Sequence, residues 1–213
     1  MARGAAACPC RPTPVRTPMR LFYNAPSPYA RKVRVLAHEL GLADQMTLVA
    51  VDPWRDPPEL LAATPLAKIP ALVVGDTTLT ESTAIGEHLL RLAGRPAPDA
   101  DAALDRAART GLAQGLIDAG FGLVVEGRRP AEAQWQGWFD RLRASLDRTV
   151  PVVRISGDPE GFGDADLGDV TLACALAYLD FRLPDIPWRS ARPDLAGWLD
   201  RVSLRPSMVA TRA

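Results

Sequence analysis

Residues 21–40 are LFYNAPSPYARKVRVLAHEL, and this stretch predicts a short strand, a turn and then a helix with one buried face. Residues 21–23 are apolar, and the turn at residues 24–28 contains two prolines. Apolar side chains recur through the helix at the i, i+3, i+4, i+7 spacing of one face, and they are Val33, Leu36, Ala37 and Leu40. The chain therefore begins its ordered part with a strand–turn–helix unit, and the remaining elements are interpreted around it.

Ser27 stands where that helix begins. A serine hydroxyl at this position can cap free backbone N–H groups, and Pro28 suits the first helical position. The free N–H donors and the positive end of the helix together favour an anion at this place. The same pattern is common in helices that bind nothing, so the stretch alone leaves both an anion site and an ordinary helix cap open.

The composition argues against several classes of partner. The chain has 213 residues, 47% of them hydrophobic and 23% charged, which is typical of a globular protein with an ample core. Lys and Arg number 25, and Asp and Glu also number 25, so no overall field attracts nucleic acid or an acidic membrane. No apolar run approaches the roughly 20 residues that span a bilayer. We therefore expect neither a nucleic-acid partner nor a membrane partner.

The cysteines indicate a reducing compartment. Cys8, Cys10 and Cys174 are too few for a disulfide framework, which favours a cytoplasmic location. Residues 1–18 are rich in Ala, Arg and Pro and have no long apolar segment of a secretory signal. We predict that residues 1–18 are a disordered extension, and we assign no role to the thiols of Cys8 and Cys10.

The chain changes character at a stiff, proline-rich linker predicted at residues 94–100. Before it, residues 19–93 predict a small α/β domain with strands near 45–51, 66–74 and 77–80, a short helix at 59–63 and a helix from 81 to 93. After it, residues 101–213 predict an all-helical domain with helices at 101–126, 131–150, 169–183 and 193–202 and a tail at 205–213. Within it, Asp166 and Asp169 have the spacing of a reciprocal helix cap, and the helix that follows is apolar nearly all round.

Three motifs in this order resemble the cytosolic glutathione transferase family. They are Ser27-Pro28-Tyr29-Ala30-Arg31-Lys32 at the first helix, Lys68-Ile69-Pro70-Ala71-Leu72, and Glu81-Ser82 at a later helix. The resemblance covers about residues 19–206 and is strongest to a bacterial branch with an S-P-[FY]-x-R-K start. It implies a thioredoxin-like α/β domain followed by an all-α helical bundle.

The resemblance also implies glutathione as the co-substrate. Glutathione is a tripeptide whose thiol, with a pKa of about 8.5, reacts poorly at neutral pH until its thiolate is stabilised. By its match to the family, Ser27 would donate its hydroxyl to the glutathione sulfur. The backbone of Ile69 beside Pro70, a proline that is cis in the family, would pair with the cysteinyl part as an added strand does.

The two ends of the tripeptide have their own candidates. Glu81 would meet the γ-glutamyl amine, and Ser82 would bind the γ-glutamyl carboxylate at a helix start. Lys68 could pair with the glycine carboxylate. Each also has a structural interpretation, because Ser82 can be a simple helix cap, and Lys68 and Glu81 can be solvated charges.

Two features compete with this assignment. Tyr23, at the end of the first strand, is the rival hydroxyl, because some classes of the family use a tyrosine there. The family segment N-P-x-G-K-[IV]-P here has Thr64 and Ala67 in place of Asn and Gly, which puts the shape of the loop before Lys68 in doubt.

The helical domain would supply the site for the second substrate. We expect residues of the cleft within 117–129, and we expect Trp135, Trp138 and Phe139 to belong to the core. His38 and His88 stand far apart and give no metal site, so no metal is expected.

The sequence therefore predicts a glutathione transferase-like enzyme, a homodimer by resemblance, that adds glutathione to a small electrophile or reduces a peroxide. The alternative is a non-catalytic interaction or regulatory protein that kept the fold. The departures at Thr64 and Ala67 favour the alternative, whereas Ser27, Lys68 and Glu81-Ser82 favour the enzyme.

Overall fold

The computed structural model describes residues 18–213, so nearly all of the predicted extension, including Cys8 and Cys10, lies outside the described residues. Over the described range the chain forms four strands and nine α-helices, with three short 3-10 helices at Ala43–Gln45, Pro53–Arg55 and Ala131–Ala133. The strands and helices of the first part are β1 (Met19–Tyr23), α1 (Pro28–Glu39), β2 (Met46–Ala50), α2 (Pro58–Ala63), β3 (Ala71–Val74), β4 (Thr77–Thr80) and α3 (Ser82–Leu92). The second part contains α4 (Ala100–Glu126), α5 (Gln136–Thr149), α6 (Leu167–Arg182), α7 (Trp188–Ala191), α8 (Pro193–Val202) and α9 (Pro206–Ala210).

The four strands form one mixed sheet in the order β2-β1-β3-β4. β1 runs parallel to β2 and antiparallel to β3, and β3 and β4 form an antiparallel hairpin. Because alternate side chains of a strand face opposite sides, Leu21 and Leu72 lie in the large core with α1 and α3, whereas Phe22 and Ala71 lie in a smaller cluster with Leu60 of α2. The sheet is thus covered on both faces, and the predicted α/β architecture is confirmed.

The register of the sheet decides where the candidate residues meet. Phe22 pairs with Ala71, and Ala71 pairs with Thr80. One residue beyond this row, each strand leads to a different residue: Tyr23 on β1, Pro70 before β3 and Glu81 after β4. Because neighbouring strands lie about 4.8 Å apart, the turn that leads to Ser27, the residues before β3 and the start of α3 share one edge of the sheet.

α6 is the central helix of the second part. Twelve of its residues are buried, from Leu167 to Leu179, and it packs against both α4 and α1. This agrees with the nearly all-apolar pattern in its sequence, because a helix surrounded by other helices has no solvent face. α6 therefore joins the helical bundle to the α/β part.

A buried guanidinium fixes the start of α6. Arg109 of α4, whose side chain is 5% exposed, donates to Asp166 and Asp169 at 2.8 Å and to Asp105 at 2.8 Å. Asp166 caps α6 as predicted, since its Oδ1 accepts from the backbone N–H of Asp169 at 3.0 Å. The predicted reciprocal bond is wrong, because the Asp169 carboxylate instead accepts from Arg109 and from Ser156.

Two helix assignments from the sequence need correction. The predicted tail at 205–213 contains α9, which packs on α1, where Arg205 forms an ion pair with Glu39 and Arg31 donates to the Met208 carbonyl at 3.2 Å. The helix predicted from residue 131 starts at Gln136, because a 3-10 turn precedes it.

Over residues 18–213, no helix combines the length and the apolar character needed to cross a membrane.

Candidate functional site

Ser27 caps α1 in extended backbone conformation, and its Oγ accepts a hydrogen bond from the backbone N–H of Ala30 at 3.2 Å. Pro28 is the first helical residue, as predicted. A hydroxyl that accepts one bond still has its hydrogen to donate. The Ser27 side chain is only partly buried. It can therefore donate to an anion placed at the positive end of α1.

Tyr23, the rival hydroxyl, is directed elsewhere along α1. Its ring packs against the guanidinium of Arg34, 4.8 Å from the ring centroid. Arg34 follows Ser27 by seven residues, which is about 10 Å along a helix. The aromatic ring therefore packs beside the second turn of α1 rather than beside its cap.

Pro70 lies at the same edge of the sheet as the turn that leads to Ser27, and the Ile69–Pro70 peptide bond is cis. Pro70 is buried and Ile69 is partly buried. Residue 69 precedes β3 and lies outside the ladders that β3 forms with β1 and β4. Its backbone therefore lies outside the strand pairing, at the edge of the sheet shared by the β1–α1 turn and the start of α3.

The loop before Pro70 keeps a tight shape despite the two substitutions in its motif. Ala67 has a positive φ of 50°, a conformation that glycine adopts without cost and other residues disfavour. Thr64 is 2% exposed, and its Oγ1 accepts from the backbone N–H of Leu66 at 3.3 Å. The loop thus keeps a tight turn although Thr64 and Ala67 replace Asn and Gly of the motif, because Ala67 itself takes the left-handed conformation.

Lys68 is exposed and forms no hydrogen bond or ion pair with any part of the chain that the structure describes. Its side chain is therefore available to solvent and to a ligand. The pairing of Lys68 with the glycine carboxylate of glutathione stays a prediction.

Glu81 and Ser82 occupy the start of α3, as predicted. Glu81 has a positive φ of 71°, and its carboxylate accepts from the backbone N–H groups of Thr83 at 3.0 Å and Ala84 at 3.2 Å. Burial acts to raise the pKa of Glu81, but these two N–H groups and the charge of Lys32 outweigh it and hold the pKa below its usual range. Ser82 is buried, and its Oγ donates to Glu81 at 3.3 Å.

A polar network behind these residues was not assigned a role from the sequence. Lys32 of α1 is fully buried, and its Nζ donates to Thr83 Oγ1 at 3.1 Å and to Gln114 Oε1 at 2.8 Å. Lys32 precedes Leu36 by four residues, so the helical period already placed it on the inner side of α1. That spacing was the available signal, although it could not show which groups receive the charge.

A second hydroxyl of the same motif joins α1 to α4. Tyr29 Oη donates to Asp118 at 2.7 Å, and the Tyr29 ring meets Phe121 edge to face with 5.5 Å between centroids. Burial and the hydrogen bond to Asp118 raise the pKa of Tyr29, so its hydroxyl stays protonated. Tyr29 therefore links the first turn of α1 to α4.

A cavity of about 310 Å³ opens beside Ser27. Its lining includes Pro26 and Arg31 from the start of α1 and Tyr178 and Phe181 from α6. None of residues 117–129, where we expect the cleft for the second substrate, lines this cavity, so that expectation stays a prediction. Phe121 contacts Tyr29, but the cavity is bordered by α6 and the C-terminal residues, and Ile117 is fully buried in the core.

The aromatic group at the start of α5 is also placed differently from the prediction. Trp135 is 67% exposed and stacks on Trp138, whereas Trp138 and Phe139 are partly buried at the edge of the core. Arg128, two residues after the end of α4, lies over the ring of Trp54, 5.9 Å from its centroid. Trp135 therefore belongs to the surface and not to the core.

A cysteine thiol and a metal centre are the other reactive groups to consider in residues 18–213. Cys174 is the one cysteine there, and burial raises its thiol pKa to about 11. Within residues 18–213 no group of three or more His, Cys, Asp and Glu side chains is placed to hold a metal ion. Ser27 is thus the group at the edge of the sheet with a hydroxyl free to donate at a helix start.

Comparison with known proteins gives this arrangement a family. Residues 26–92 match the family described as glutathione S-transferase, N-terminal domain, and residues 132–201 match glutathione S-transferase, C-terminal domain. The uncharacterized GST-like protein YibF of Escherichia coli K12 is 28% identical over 200 residues, which are 91% of this chain and 98% of that protein.

Two solved structures are similar over almost the whole described chain. A glutathione transferase family member from Pseudomonas fluorescens Pf-5, solved with bound glutathione, is 37% identical with a TM-score of 0.83, covering 91% of this chain and 98% of the other. A glutathione S-transferase from Methylobacterium radiotolerans, solved with glutathione sulfonate, is 30% identical with a TM-score of 0.80, covering 92% and 96%. With this fold, these matched domains and these relatives, the chain belongs to the glutathione S-transferase family.

Proposed function

We propose that the protein binds glutathione in the groove between the β1–α1 turn, cis-Pro70 and the start of α3, and activates its thiol for attack on a small electrophile. The observation that carries this proposal is the shared edge of the sheet, where the Ser27 cap, Pro70 and Glu81 follow the same row of strand pairs. Relatives at 37% and 30% identity have been solved with glutathione and with glutathione sulfonate, which supports the same class of ligand.

Each part of the tripeptide would meet a group of suitable chemistry. The sulfur would accept the Ser27 hydroxyl, and the backbone of Ile69 would pair with the cysteinyl residue. The γ-glutamyl amine would meet Glu81 and the γ-glutamyl carboxylate would meet Ser82, while Lys68 would reach the glycine carboxylate.

Ser27 would act by stabilising negative charge. A thiol with a pKa of about 8.5 is mostly protonated at pH 7, and a hydrogen bond to the thiolate together with the end of α1 lowers that pKa. The thiolate then attacks an electrophilic atom and forms the new bond to sulfur. The cavity beside Ser27, lined by Tyr178 and Phe181, would hold the acceptor. A peroxide is the second class of acceptor that the same thiolate could reduce.

A homodimer in the cytoplasm completes the proposal. The dimer rests on the family resemblance, and it would cover some of the exposed leucines of α3 and α4, namely Leu92, Leu104 and Leu112. Sedimentation of the purified chain tests this part, and a monomer at micromolar concentration contradicts it.

The test of the function has two steps. Calorimetric titration with glutathione measures binding, and a panel of small electrophiles and peroxides then measures turnover in the presence of glutathione. Binding with turnover supports the enzyme. If the chain binds neither glutathione nor its S-alkyl derivatives, the proposal is wrong and the interaction protein is favoured.

A further inference from the structure

Lys32 is a buried lysine that the proposed chemistry does not use. Its side chain is 0% exposed, although lysine is among the residues least often fully buried. Two acceptors from different helices meet its ammonium group, Thr83 Oγ1 of α3 at 3.1 Å and Gln114 Oε1 of α4 at 2.8 Å. Replacing water around an ammonium with two such contacts is costly, so this arrangement calls for a reason beyond packing.

The position of Lys32 relative to the groove suggests that reason. Thr83 follows Glu81 and Ser82 directly, so Lys32 holds the first turn of α3 from the inside. Glu81 gives the largest charge interaction with Lys32, and Asp118 of α4 and Cys174 of α6 are the other titratable groups that interact with it. Lys32 thus places a positive charge behind the two residues assigned to the γ-glutamyl end of glutathione.

The network continues into the helical part of the protein. Gln114 accepts from Lys32 and, through its Nε2, donates to Asp118 Oδ1 at 3.0 Å. The same Asp118 oxygen accepts from Tyr29 at 2.7 Å. The start of α3 is therefore held against both α1 and α4 by directed polar contacts, which fix its position more closely than apolar packing alone.

We propose that Lys32 is a positioning residue for the γ-glutamyl end of glutathione: it fixes the first turn of α3 and supplies the counter-charge behind the carboxylate bound at Ser82. This inference rests on the proposed function. Lys32 does not touch the ligand, since Thr83 and Gln114 cover its ammonium group. Its contribution reaches the ligand through the placement of Ser82 and through its charge, which buried surroundings screen weakly.

The titration of Lys32 gives the proposal a second observable. Burial lowers the pKa of Lys32 to about 8, although Glu81, Cys174 and Asp118 act to raise it. The counter-charge is therefore present at pH 7 and is lost as the pH rises above about 8. A ligand carboxylate at Ser82 favours the charged lysine, so its binding weakens over the same range.

The experiment compares two ligands on the full chain. One is S-methylglutathione, which has no thiol to titrate, and the other is its analogue with 4-aminobutanoyl in place of γ-glutamyl, which lacks only the carboxylate. For Lys32→Met we expect affinity for S-methylglutathione to fall about tenfold and affinity for the analogue to change less than twofold. Equal losses for both ligands, or no loss for S-methylglutathione, overturn the proposal.

Two further variants keep the test decisive. Lys68→Met removes a lysine on the other side of the groove and should weaken both ligands by the same factor. If Lys32→Met does not fold, Thr83→Ala takes its place, because this variant keeps the charge of Lys32 and removes one of its two acceptors. Thr83→Ala should lower affinity for S-methylglutathione more than affinity for the analogue. An equal effect on both ligands overturns the proposal. If the wild type does not bind S-methylglutathione at any concentration, the proposed function itself is refuted. This outcome is distinct from an equal loss of affinity for the two ligands.

The pH series uses the same variant. The ratio of wild-type to Lys32→Met affinity for S-methylglutathione should fall as the pH rises from 7 to 9, because the wild type loses the charge that the variant never has. A ratio that stays constant across this range contradicts the role of the charge.

Discussion

Replacing Ser27 with alanine removes the one hydroxyl that caps α1, and its effects on stability and on chemistry can be separated. The Ser27 Oγ accepts from the Ala30 N–H at 3.2 Å, so Ser27→Ala leaves that donor without its cap. Loss of such a cap costs about 1 kcal/mol, which for a chain of this size lowers the melting temperature by roughly 2–4 °C. The variant should therefore fold, and its ligand chemistry can be measured.

The chemical effect is larger. A hydrogen bond to a charged group contributes about 1.5–3 kcal/mol, and about 1.4 kcal/mol corresponds to one pKa unit. In Ser27→Ala the thiol of bound glutathione should therefore titrate roughly 1–2 units higher than in the wild type. Turnover with an electrophile at neutral pH should fall by a factor of about 10 to 10³, the range expected for losing one preorganised donor.

The assay follows the ultraviolet absorbance of the thiolate as the pH is raised, with the protein saturated with glutathione. Tyr23→Phe is the matched control, because it removes the rival hydroxyl and should leave the titration unchanged. If Ser27→Ala titrates as the wild type does and Tyr23→Phe shifts the curve, the assignment of Ser27 is refuted and Tyr23 takes its place.

Four other substitutions test separate parts of the structure. Glu81→Gln keeps an oxygen that can cap α3 but loses the charge. Calorimetry should therefore show glutathione binding weakened about 10-fold or more, with little change in binding of an analogue that lacks the amine. Equal weakening of both ligands argues against an amine contact. Arg109→Met leaves buried carboxylates unpaired, so urea unfolding should show a loss of about 3–5 kcal/mol, and a loss below about 1 kcal/mol contradicts the account. Ala67→Gly relieves a positive φ and should raise the free energy of unfolding by about 1 kcal/mol, whereas a decrease shows that the backbone there is not left-handed. Burial acts to raise the pKa of Glu39, but Arg205 and Ser207 outweigh it and hold the pKa low. The wild type should therefore lose stability as the pH falls from about 4.5 through that lowered pKa, and the stability of Glu39→Gln should depend less steeply on pH. Parallel curves of stability against pH for the two proteins contradict this.

The α/β part could be predicted because its signals are local. The spacing of apolar residues in α1 and the cap at Ser27 are properties of neighbouring residues, and the structure has both. The cis bond before Pro70 came from the resemblance alone, since nothing in the residues themselves distinguishes it from the commoner trans form.

The parts that sequence reasoning missed depend on distant residues. Lys32 looks like an ordinary charge until Thr83 and Gln114, which are 51 and 82 residues away, are brought to its ammonium group. α9 has only five residues and gains its order from contacts with α1, so its own sequence gives little helical signal. Trp135 fits a helical apolar pattern, yet it precedes α5 and lies at the surface.

A crystal structure of this chain with glutathione bound tests the proposed glutathione site directly. We expect the sulfur within hydrogen-bond distance of Ser27 Oγ, the cysteinyl backbone beside Ile69 and the γ-glutamyl carboxylate at Ser82. A sulfur at the Tyr23 hydroxyl, or glutathione bound away from the edge that holds Ser27, Pro70 and Glu81, would contradict it.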